Sequence, residues 1–176
     1  CTELSGNLLC EGAQGYWLDI NKGNYPYVTS SYTLPYSACS LGFPPQKIRE
    51  IYGCSKLYDT RVGVDPDFPD RLDADKDLVS IGQVGEEVGA TTGRKRRVNW
   101  LNLDKLITAI NVSGTSIIVF SKIDVLKQVN VYKLHYNHRL QSFDNYETFI
   151  EFIQTIISEI CLFVKEVIFS DSKLTI

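Results

Sequence analysis

Apolar residues recur at helical spacing in two stretches of the chain. In residues 145–165 they repeat at intervals of three and four, as expected for a helix with one buried face. Residues 102–113 have the same periodicity, with Asn102 as a candidate N-cap and Gly114 as the stop. We therefore predict two amphipathic helices, each packed against a sheet.

Continuous apolar runs predict the strands of that sheet. Residues 115–120 form an uninterrupted run rich in β-branched side chains, which is typical of a strand buried on both faces. We expect residues 166–169 to pair beside it. Shorter strands are predicted at residues 8–10, 54–62 and 129–134.

The remaining segments predict one further helix and two long loops. Pro44 and Pro45 favour a helix that begins there and ends at Gly53. Residues 7–43 and 64–89 are predicted as long loops, of the kind that carries binding surfaces. Strands alternating with helices indicate an α/β fold with a largely parallel, layered sheet, flanking helices and ligand-binding loops beyond the strand ends.

Composition narrows the class of protein. A chain of 176 residues with 44% apolar content fits one packed domain. The most apolar stretch, residues 149–168, is interrupted by charges and is not expected to cross a bilayer. Five cysteines without a C-x-x-C pair favour a reducing, cytoplasmic compartment. Because the chain contains no Met and opens at Cys1 without an apolar leader, we expect it to lack its natural start and to carry no signal peptide.

The segment Ser121-Lys122-Ile123-Asp124 directly follows the run predicted as a buried strand, so it should lie at the rim where α/β sheets bind ligands. The carboxylate of Asp124 can accept both the N1 hydrogen and the 2-amino group of guanine, and the stem of Lys122 can lie across the ring. Adenine presents an acceptor at N1 and would be refused. The alternative interpretation is a surface Lys and Asp that merely close a strand.

A basic run follows a segment rich in Gly and Thr at residues 89–97. The net charge of -3 argues against general nucleic-acid affinity, and this run is the local exception. Threonine hydroxyls, backbone N–H groups and guanidinium groups suit a small dianionic ligand, because all of them donate to a carboxylate. The alternative is a nuclear-localisation or nucleic-acid patch. The Thr-Thr-Gly lead-in at residues 91–93 favours the anion-binding loop.

Three weaker motifs have ordinary alternatives. Gln14 lies in a Gly-rich turn, residues 11–15, where the backbone can approach a purine, although such turns are common. The hydroxyls of residues 25–31 suit a phosphate, although Ser and Thr are also ordinary turn residues. His135 and His138 form an isolated H-x-x-H with no third ligand in view, so we expect no metal site there.

In this order, four stretches resemble the C-terminal half of the adenylosuccinate synthetase family. They are EGAQGYWLDINKGNYPYVTSS (11–31), LGFPPQKIREIYGCSKLYDTRVG (41–63), VGATTGRKRRVNWLNLD (88–104) and SKIDVL (121–126). The short tail is similar to that of the compact archaeal and phage forms. The resemblance implies that residues 1–176 are the C-terminal part of one synthetase-like domain. The Gly-rich phosphate loop, the general-base Asp and the catalytic His of the family would then lie upstream.

The resemblance implies a ligase that joins L-aspartate to the 6-position of IMP, through a 6-phosphoryl intermediate made from GTP with Mg²⁺ present. No catalytic residue is expected within this chain, and the Mg²⁺ ligands are expected upstream. The implied substrate-nucleotide residues are Gln14, Thr29, Val62, Gly63 and Arg94. The implied aspartate residues are Thr91, Thr92, Arg94 and Arg96. The implied GTP residues are Arg96, Lys122, Asp124 and Ser170.

The resemblance leaves alternatives open. Some phage relatives act on dGMP in place of IMP, and a non-catalytic remnant that only binds purine nucleotides is a third possibility. The family's C-terminal guanine loop is replaced here by Ser170-Asp171-Ser172-Lys173, which leaves the phosphoryl donor open as well. The expected partners are these nucleotides, aspartate and a second copy of the chain in a homodimer. We expect no nucleic-acid or membrane partner, and a location in the cytoplasm, or in the host cytoplasm for a viral protein.

Overall fold

The computed structural model describes residues 6–69, 72, 74–89 and 93–171. The chain divides into two compact units, Cys1–Arg49 and Glu50–Ile176. From residue 6 onward, where the structure describes it, the first unit is built from turns and three short 3₁₀ helices, at Tyr16–Leu18, Pro35–Leu41 and Pro45–Lys47.

Two predictions for the first unit and its end are wrong. Residues 8–10 form no strand, and Leu9 is 89% exposed, so a strand there would have no sheet to cover it. The helix predicted from Pro44 to Gly53 is only the 3₁₀ turn Pro45–Lys47, after which Ile48 adopts an extended conformation. The chain extends because the backbone N–H of Ile51 donates to the Ser116 hydroxyl, which draws it alongside a strand.

The second unit contains seven strands and four helices among its described residues. In chain order these are β1 (Tyr52–Lys56), β2 (Tyr58–Arg61), α1 (Lys76–Val84), β3 (Arg97–Asn102), α2 (Leu103–Ser113), β4 (Ile117–Ser121), α3 (Ile123–Val129), β5 (Tyr132–Tyr136), β6 (Arg139–Phe143), α4 (Tyr146–Ile160) and β7 (Glu166–Phe169).

The first sheet has the order β1-β4-β7 and is entirely parallel. Its middle strand, β4, is the predicted run of residues 115–120, and its first four residues are all buried. β7 pairs beside it as expected, with Ile117 opposite Glu166 and Phe120 opposite Phe169. The predicted α/β fold with a parallel sheet and flanking helices is therefore confirmed.

The second sheet has the order β2-β3-β5-β6 and is mixed. Only β3 and β5 run parallel, whereas β2 pairs with β3 and β5 pairs with β6 in antiparallel fashion. The single strand predicted at residues 54–62 is in fact β1 and β2, which belong to different sheets. The chain passes from one sheet to the other at Leu57, a residue only 1% exposed.

Both predicted amphipathic helices are present and bury their apolar faces in one core. α2 begins after Asn102, whose side chain accepts from the N–H of Lys105, and ends at Gly114 in the left-handed conformation. α4 buries three side chains completely: Phe149, Ile153 and Ile157. Burial of each stabilises the fold by about 1.5–3 kcal/mol.

Several boundaries differ from the prediction. α4 ends at Ile160, short of the predicted residue 165, because the N–H of Lys165 already donates to the carbonyl of Ser116 as β7 begins. The strand predicted at residues 129–134 is β5, which begins three residues later because α3 continues to Val129. β3 and β6 were not predicted.

A helix, α1, lies inside the segment predicted as a long loop. Asp75 caps it by accepting from the backbone N–H groups of Asp77 and Leu78. The helix buries only Leu78 and Ile81, so its apolar periodicity is too short to stand out in the sequence.

Candidate functional site

The Ser-Lys-Ile-Asp motif lies at the edge of the first sheet that is formed by the carboxyl ends of β1 and β4. Lys56 at the end of β1 is in register with Ser121 at the end of β4. Lys122 follows in the left-handed conformation, with φ of 68°, and its ammonium group donates to the carbonyl of Gly85 at 3.0 Å. Asp124 lies exposed in the first turn of α3.

A buried carboxylate, Glu87, lies at this edge and accepts from three side chains. Its Oε2 accepts from the Lys56 ammonium at 2.6 Å and from the Arg96 guanidinium at 3.3 Å. Its Oε1 accepts from the Tyr58 hydroxyl at 2.7 Å. Glu87 is only 6% exposed, and its donors come from β1, from β2 and from the residue before β3. We call Lys56, Tyr58, Glu87 and Arg96 the Glu87 cluster.

Electrostatics fixes the protonation states within the Glu87 cluster. Burial by itself would raise the pKa of Glu87, but hydrogen bonds from Lys56 and Tyr58 and the charges of Lys56 and Lys122 outweigh it and lower that pKa. Burial raises the pKa of Tyr58, and the hydrogen bond to Glu87 raises it further. Glu87 is therefore a carboxylate and Tyr58 a phenol that donates to it.

Positive charge is concentrated around this single buried carboxylate. Burial lowers the pKa of Lys56, and the charges of Arg96 and Lys122 act in the same direction, while Glu87 opposes them. Three cationic side chains close to one buried carboxylate suit an anionic ligand, because a further negative charge relieves their mutual repulsion.

Of the basic residues 94–97, Arg96 belongs to the Glu87 cluster and the others lie around it. Residues on either side of the predicted loop pair with each other: the N–H of Arg96 donates to the carbonyl of Glu87, and the N–H of Gly89 donates to the carbonyl of Arg94. Arg94 is exposed, whereas Arg96 is partly buried. Thr91 and Thr92, both predicted to bind aspartate, lie outside the described residues.

Arg97 turns away from the Glu87 cluster. Its guanidinium group donates to the carbonyls of Gly63 and Phe68 and lies 5.2 Å from the centre of the Phe68 ring. Gly63, one of the residues predicted to bind the substrate nucleotide, is therefore in contact with Arg97 through its carbonyl. Val62 is half-buried beside it.

Ser170, predicted to contact GTP, directly follows β7. Its backbone N–H donates to the carbonyl of Phe120 at 2.8 Å, and the residue is 8% exposed. Because β4 and β7 are parallel, Ser170 lies at the same carboxyl edge of the sheet as Ser121.

In the first unit, the predicted nucleotide residues lie on a loop organised by Asp19. This side chain is fully buried and accepts from the backbone N–H groups of Asn21 at 2.9 Å, Lys22 at 3.1 Å and Thr33 at 2.6 Å. Thr29 is held to the same loop, since its N–H donates to the carbonyl of Leu18 at 2.8 Å.

Gln14 lies just before that loop in a constrained turn. Its φ is 63°, a conformation that few residues other than glycine adopt, and the side chain is exposed. The next residue, Gly15, is held in place because its carbonyl accepts from the Thr33 hydroxyl at 3.0 Å. The amide of Gln14 is thus presented to solvent by a backbone fixed on its C-terminal side.

The residues described by the structure include no group of three or more His, Cys, Asp or Glu able to hold a metal ion. The Mg²⁺ that the resemblance implies has no fitting ligand set there, so no metal-dependent step is assigned to these side chains. Likewise, none of the helices in the described part is long and apolar enough to span a membrane.

Sequence comparison with known proteins shows the family of this chain. The family model described as adenylosuccinate synthetase matches residues 2–160. The chain belongs to the adenylosuccinate synthetase family. The adenylosuccinate synthetase of Flavobacterium johnsoniae is 43% identical over 148 residues, which are 82% of this chain and 34% of that protein. The enzyme of Bacteroides fragilis is 49% identical over 121 residues, 68% of this chain and 28% of that protein.

Two solved structures support the same fold. The fully ligated enzyme from Plasmodium falciparum superposes with a TM-score of 0.73 at 27% identity, over 92% of this chain and 47% of that one. A cyanophage succinoaminodeoxyadenylate synthetase, bound to dGMP and dATP, has a TM-score of 0.50 at 17% identity and shows the fold alone. The chain spans about a third of the length of the curated family members it matches.

Sequence reasoning missed the two buried carboxylates that organise these regions. Glu87 follows another glutamate, Glu86, and no periodicity distinguishes the buried one from its exposed neighbour. Asp19 lies in the quoted stretch 11–31, but its role depends on Thr33, which lies beyond that stretch. Neither signal was available without the fold.

Proposed function

We propose that this chain is the nucleotide-binding part of an adenylosuccinate synthetase, a purine-biosynthesis ligase that condenses IMP with L-aspartate at the expense of GTP. The observation that carries the proposal is the position of Lys122 and Asp124 at the carboxyl edge of the parallel sheet, beside the cationic Glu87 cluster. This edge combines a carboxylate that can recognise guanine with cations that suit a nucleotide's phosphates.

The proposed roles follow from the chemistry of each group. Asp124 accepts the N1 and 2-amino hydrogens of guanine, and the stem of Lys122 lies against the ring. Arg96 contacts the GTP phosphates and the aspartate carboxylate, and Ser170 lies near the same nucleotide. Arg94 bridges the substrate ribose and aspartate.

On the first unit, the proposed ligand is the purine monophosphate. Gln14 can donate to and accept from a purine edge at the same time, which suits the exposed amide of that turn. Thr29 offers its hydroxyl to the 5′-phosphate. For the second unit, the family resemblance assigns Thr91 and Thr92 to aspartate binding, and Val62 and Gly63 to binding of the substrate nucleotide. The assembled enzyme is proposed to be a cytoplasmic homodimer that uses Mg²⁺.

The guanine assignment makes the first testable prediction. Asp124→Asn presents an amide where guanine needs two acceptors, so GTP affinity should fall by about tenfold or more, the equivalent of about 1.4 kcal/mol. Affinity for xanthosine triphosphate should rise, because the amide donates to its 2-oxygen. Isothermal titration of both nucleotides, and of ATP, against the wild-type chain and the variant measures this exchange.

One control variant and one refuting outcome complete that titration. Asp144→Asn makes the same change at an exposed aspartate between β6 and α4 and should leave all affinities unaltered. Equal binding of GTP and ATP by the wild-type chain would refute the guanine assignment. Titration with IMP and dGMP compares the two candidate substrates.

Turnover tests where the catalytic groups lie. Phosphoryl transfer needs a cradle for the GTP phosphates, a bound Mg²⁺ and a base, which the family resemblance assigns to residues other than these. The 176-residue chain alone should therefore form no adenylosuccinate from IMP, GTP, Mg²⁺ and aspartate. Turnover that is abolished by Gln14→Ala would show that the catalytic groups lie within this chain.

A further inference from the structure

We propose that Glu87 is a positioning residue for anion binding: its buried carboxylate holds Arg96 and Lys56 in the orientation in which they meet the phosphates of a nucleotide. The inference rests on the proposed function of this sheet edge as the GTP site. Glu87 itself is covered and contacts protein donors, so it acts through the cations rather than by touching the ligand.

The first supporting observation is the sharing of one oxygen. Oε2 of Glu87 accepts from both Lys56 and Arg96, at 2.6 and 3.3 Å. Two cations that converge on one oxygen atom are held close together at fixed positions. Without that oxygen, their repulsion would drive both flexible side chains apart. Their proximity therefore depends on this carboxylate.

The second observation is that the backbone around Glu87 also holds the next cation. Lys122 donates to the carbonyl of Gly85, two residues before Glu87, and the backbone carbonyl of Glu87 accepts the N–H of Arg96. One short segment, residues 85–87, thus contacts the end of β1, the basic run and the motif that begins α3. It fixes three cations relative to one another.

The third observation is that Glu87 contacts both the core and a partly exposed cation, which favours a positioning role over a purely structural one. The Tyr58 hydroxyl bonds to the other oxygen of Glu87, Oε1, and supplies a neutral anchor within the core. Arg96 is partly exposed and retains N–H groups beyond the one that contacts Glu87. The anchor and the positioned cation therefore bond to different oxygens of the same carboxylate.

The decisive variant is Glu87→Gln, which keeps the size of the side chain and removes its charge. The Tyr58 hydroxyl can still donate to the amide oxygen, whereas the amide N–H₂ group faces Lys56 and Arg96 and repels them. Loss of a comparable outer partner at metal sites costs about 10–100-fold in affinity, so we expect affinity for GTP and for inorganic tripolyphosphate to fall by about tenfold. Affinity for guanosine, which lacks phosphates, should stay within about twofold.

Matched variants show whether the effect passes through Arg96. Glu86→Gln makes the same change at the exposed neighbour and should bind all three ligands like the wild type. Tyr58→Phe removes the anchor alone and should lower thermal stability, and it should weaken tripolyphosphate binding by less than Glu87→Gln does, because both cations keep their carboxylate. In the double variant Glu87→Gln/Arg96→Gln, the loss of tripolyphosphate affinity should be smaller than the two single losses combined, because Arg96 is one of the two cations that Glu87 holds.

The outcomes distinguish this proposal from the proposed function. If tripolyphosphate binding depends on Glu87 while GTP and ATP bind equally, the guanine assignment fails and the positioning role stands. If Glu87→Gln weakens guanosine as much as GTP, or the losses with Arg96→Gln are additive, the positioning role is overturned. Absence of both GTP and tripolyphosphate binding by the wild-type chain overturns both. Should Glu87→Gln not fold, Glu87→Asp retains the charge but withdraws it from Arg96, and the same selective loss is expected at smaller size.

Discussion

Each of the two compact units is organised around a buried carboxylate, but the hydrogen-bond donors are of different kinds. Asp19 accepts mainly from backbone N–H groups of its own loop, those of Asn21, Lys22, Thr33 and Leu34. Glu87 accepts from side chains, and one of them, Lys56, lies 31 residues away. A carboxylate bound by its own loop shapes that loop, whereas one bound by cationic side chains sets the positions of charges. Changes at the first should therefore cost stability, and changes at the second should cost anion binding.

The largest expected effect on stability is at Asp19. Asp19→Ala removes the acceptor of these part-buried backbone N–H groups, and each lost hydrogen bond costs about 0.5–1.5 kcal/mol, so the unfolding free energy of the first unit should fall by about 2–4 kcal/mol. The chain has two tryptophans, Trp17 in the first unit and Trp100 in the second. Urea unfolding followed by Trp17 fluorescence, in a Trp100→Phe background, measures the loss.

The second tryptophan supplies the control. In a Trp17→Phe background, Asp19→Ala should leave the unfolding transition reported by Trp100 nearly unchanged. Equal shifts of both transitions would mean that the two units unfold as one cooperative body, and the local role assigned to Asp19 would then be wrong. Binding of tripolyphosphate at the Glu87 cluster should persist in this variant.

A third carboxylate, Asp59 on β2, lacks the cationic donors of Glu87 and the several backbone donors of Asp19, and its pH dependence should have the opposite sign. Burial raises the pKa of Asp59 to about 7, and the hydrogen bond from the N–H of Asn102 and the charge of Lys105 only partly oppose this. Folded Asp59 thus keeps a proton that the unfolded chain has lost. Its contribution to stability is full below pH 3.8, the ordinary pKa, and disappears as the pH rises towards 7.

Replacing this carboxyl group with an amide should therefore stabilise the protein at neutral pH. Asp59→Asn keeps a side-chain oxygen that can accept from the N–H of Asn102. The increase in the free energy of unfolding should be about 2 to 4 kcal/mol larger at pH 8 than at pH 4. Denaturation midpoints across this pH range, with Asp144→Asn as the exposed control, measure it. For Asp19 and Glu87 the pKa is lowered, so their contributions are present above the ordinary carboxyl pKa and are lost as the pH falls.

Some elements of the fold could be predicted from the sequence alone, and others could not. Elements with long periodic or continuous patterns, such as α4 and β4, were predicted because one buried face imposes a repeat over many residues. α1 was missed because it buries two residues, and the change of sheet at Leu57 was missed because a strand pattern does not reveal its partner. The helix at Pro44 failed because the contact of Ile51 with Ser116, 65 residues away, overrides local preference.

The same holds for the candidate site, where some residues could be predicted from a local pattern and others could not. Lys122 and Asp124 were found because they directly follow a buried strand, so their position in the fold could be inferred. Glu87 could not be found, because a buried glutamate is recognisable only from the donors that surround it. Those donors lie on three elements whose contact depends on the whole sheet topology.

Two tightly packed glycines allow the two regions to be compared with the smallest change, the addition of one methyl group. A Cβ at Gly23 would lie 2.6 Å from the carbonyl oxygen of Trp17 and 2.7 Å from that of Asp19, and a Cβ at Gly85 would lie 2.5 Å from the Tyr58 hydroxyl. Each Gly→Ala variant should therefore lose about 1–3 kcal/mol of stability.

The two variants should differ in anion binding. Gly85→Ala should weaken tripolyphosphate binding, because the Tyr58 hydroxyl anchors Glu87 and the Gly85 carbonyl holds Lys122. Gly23→Ala should leave that binding unchanged. Gly12→Ala, where no described neighbouring atom lies within 4 Å of the added carbon, is the control. Thermal unfolding and tripolyphosphate titration of the three variants test this, and equal binding by the Gly23 and Gly85 variants would remove the distinction between a carboxylate that shapes a loop and one that positions charges.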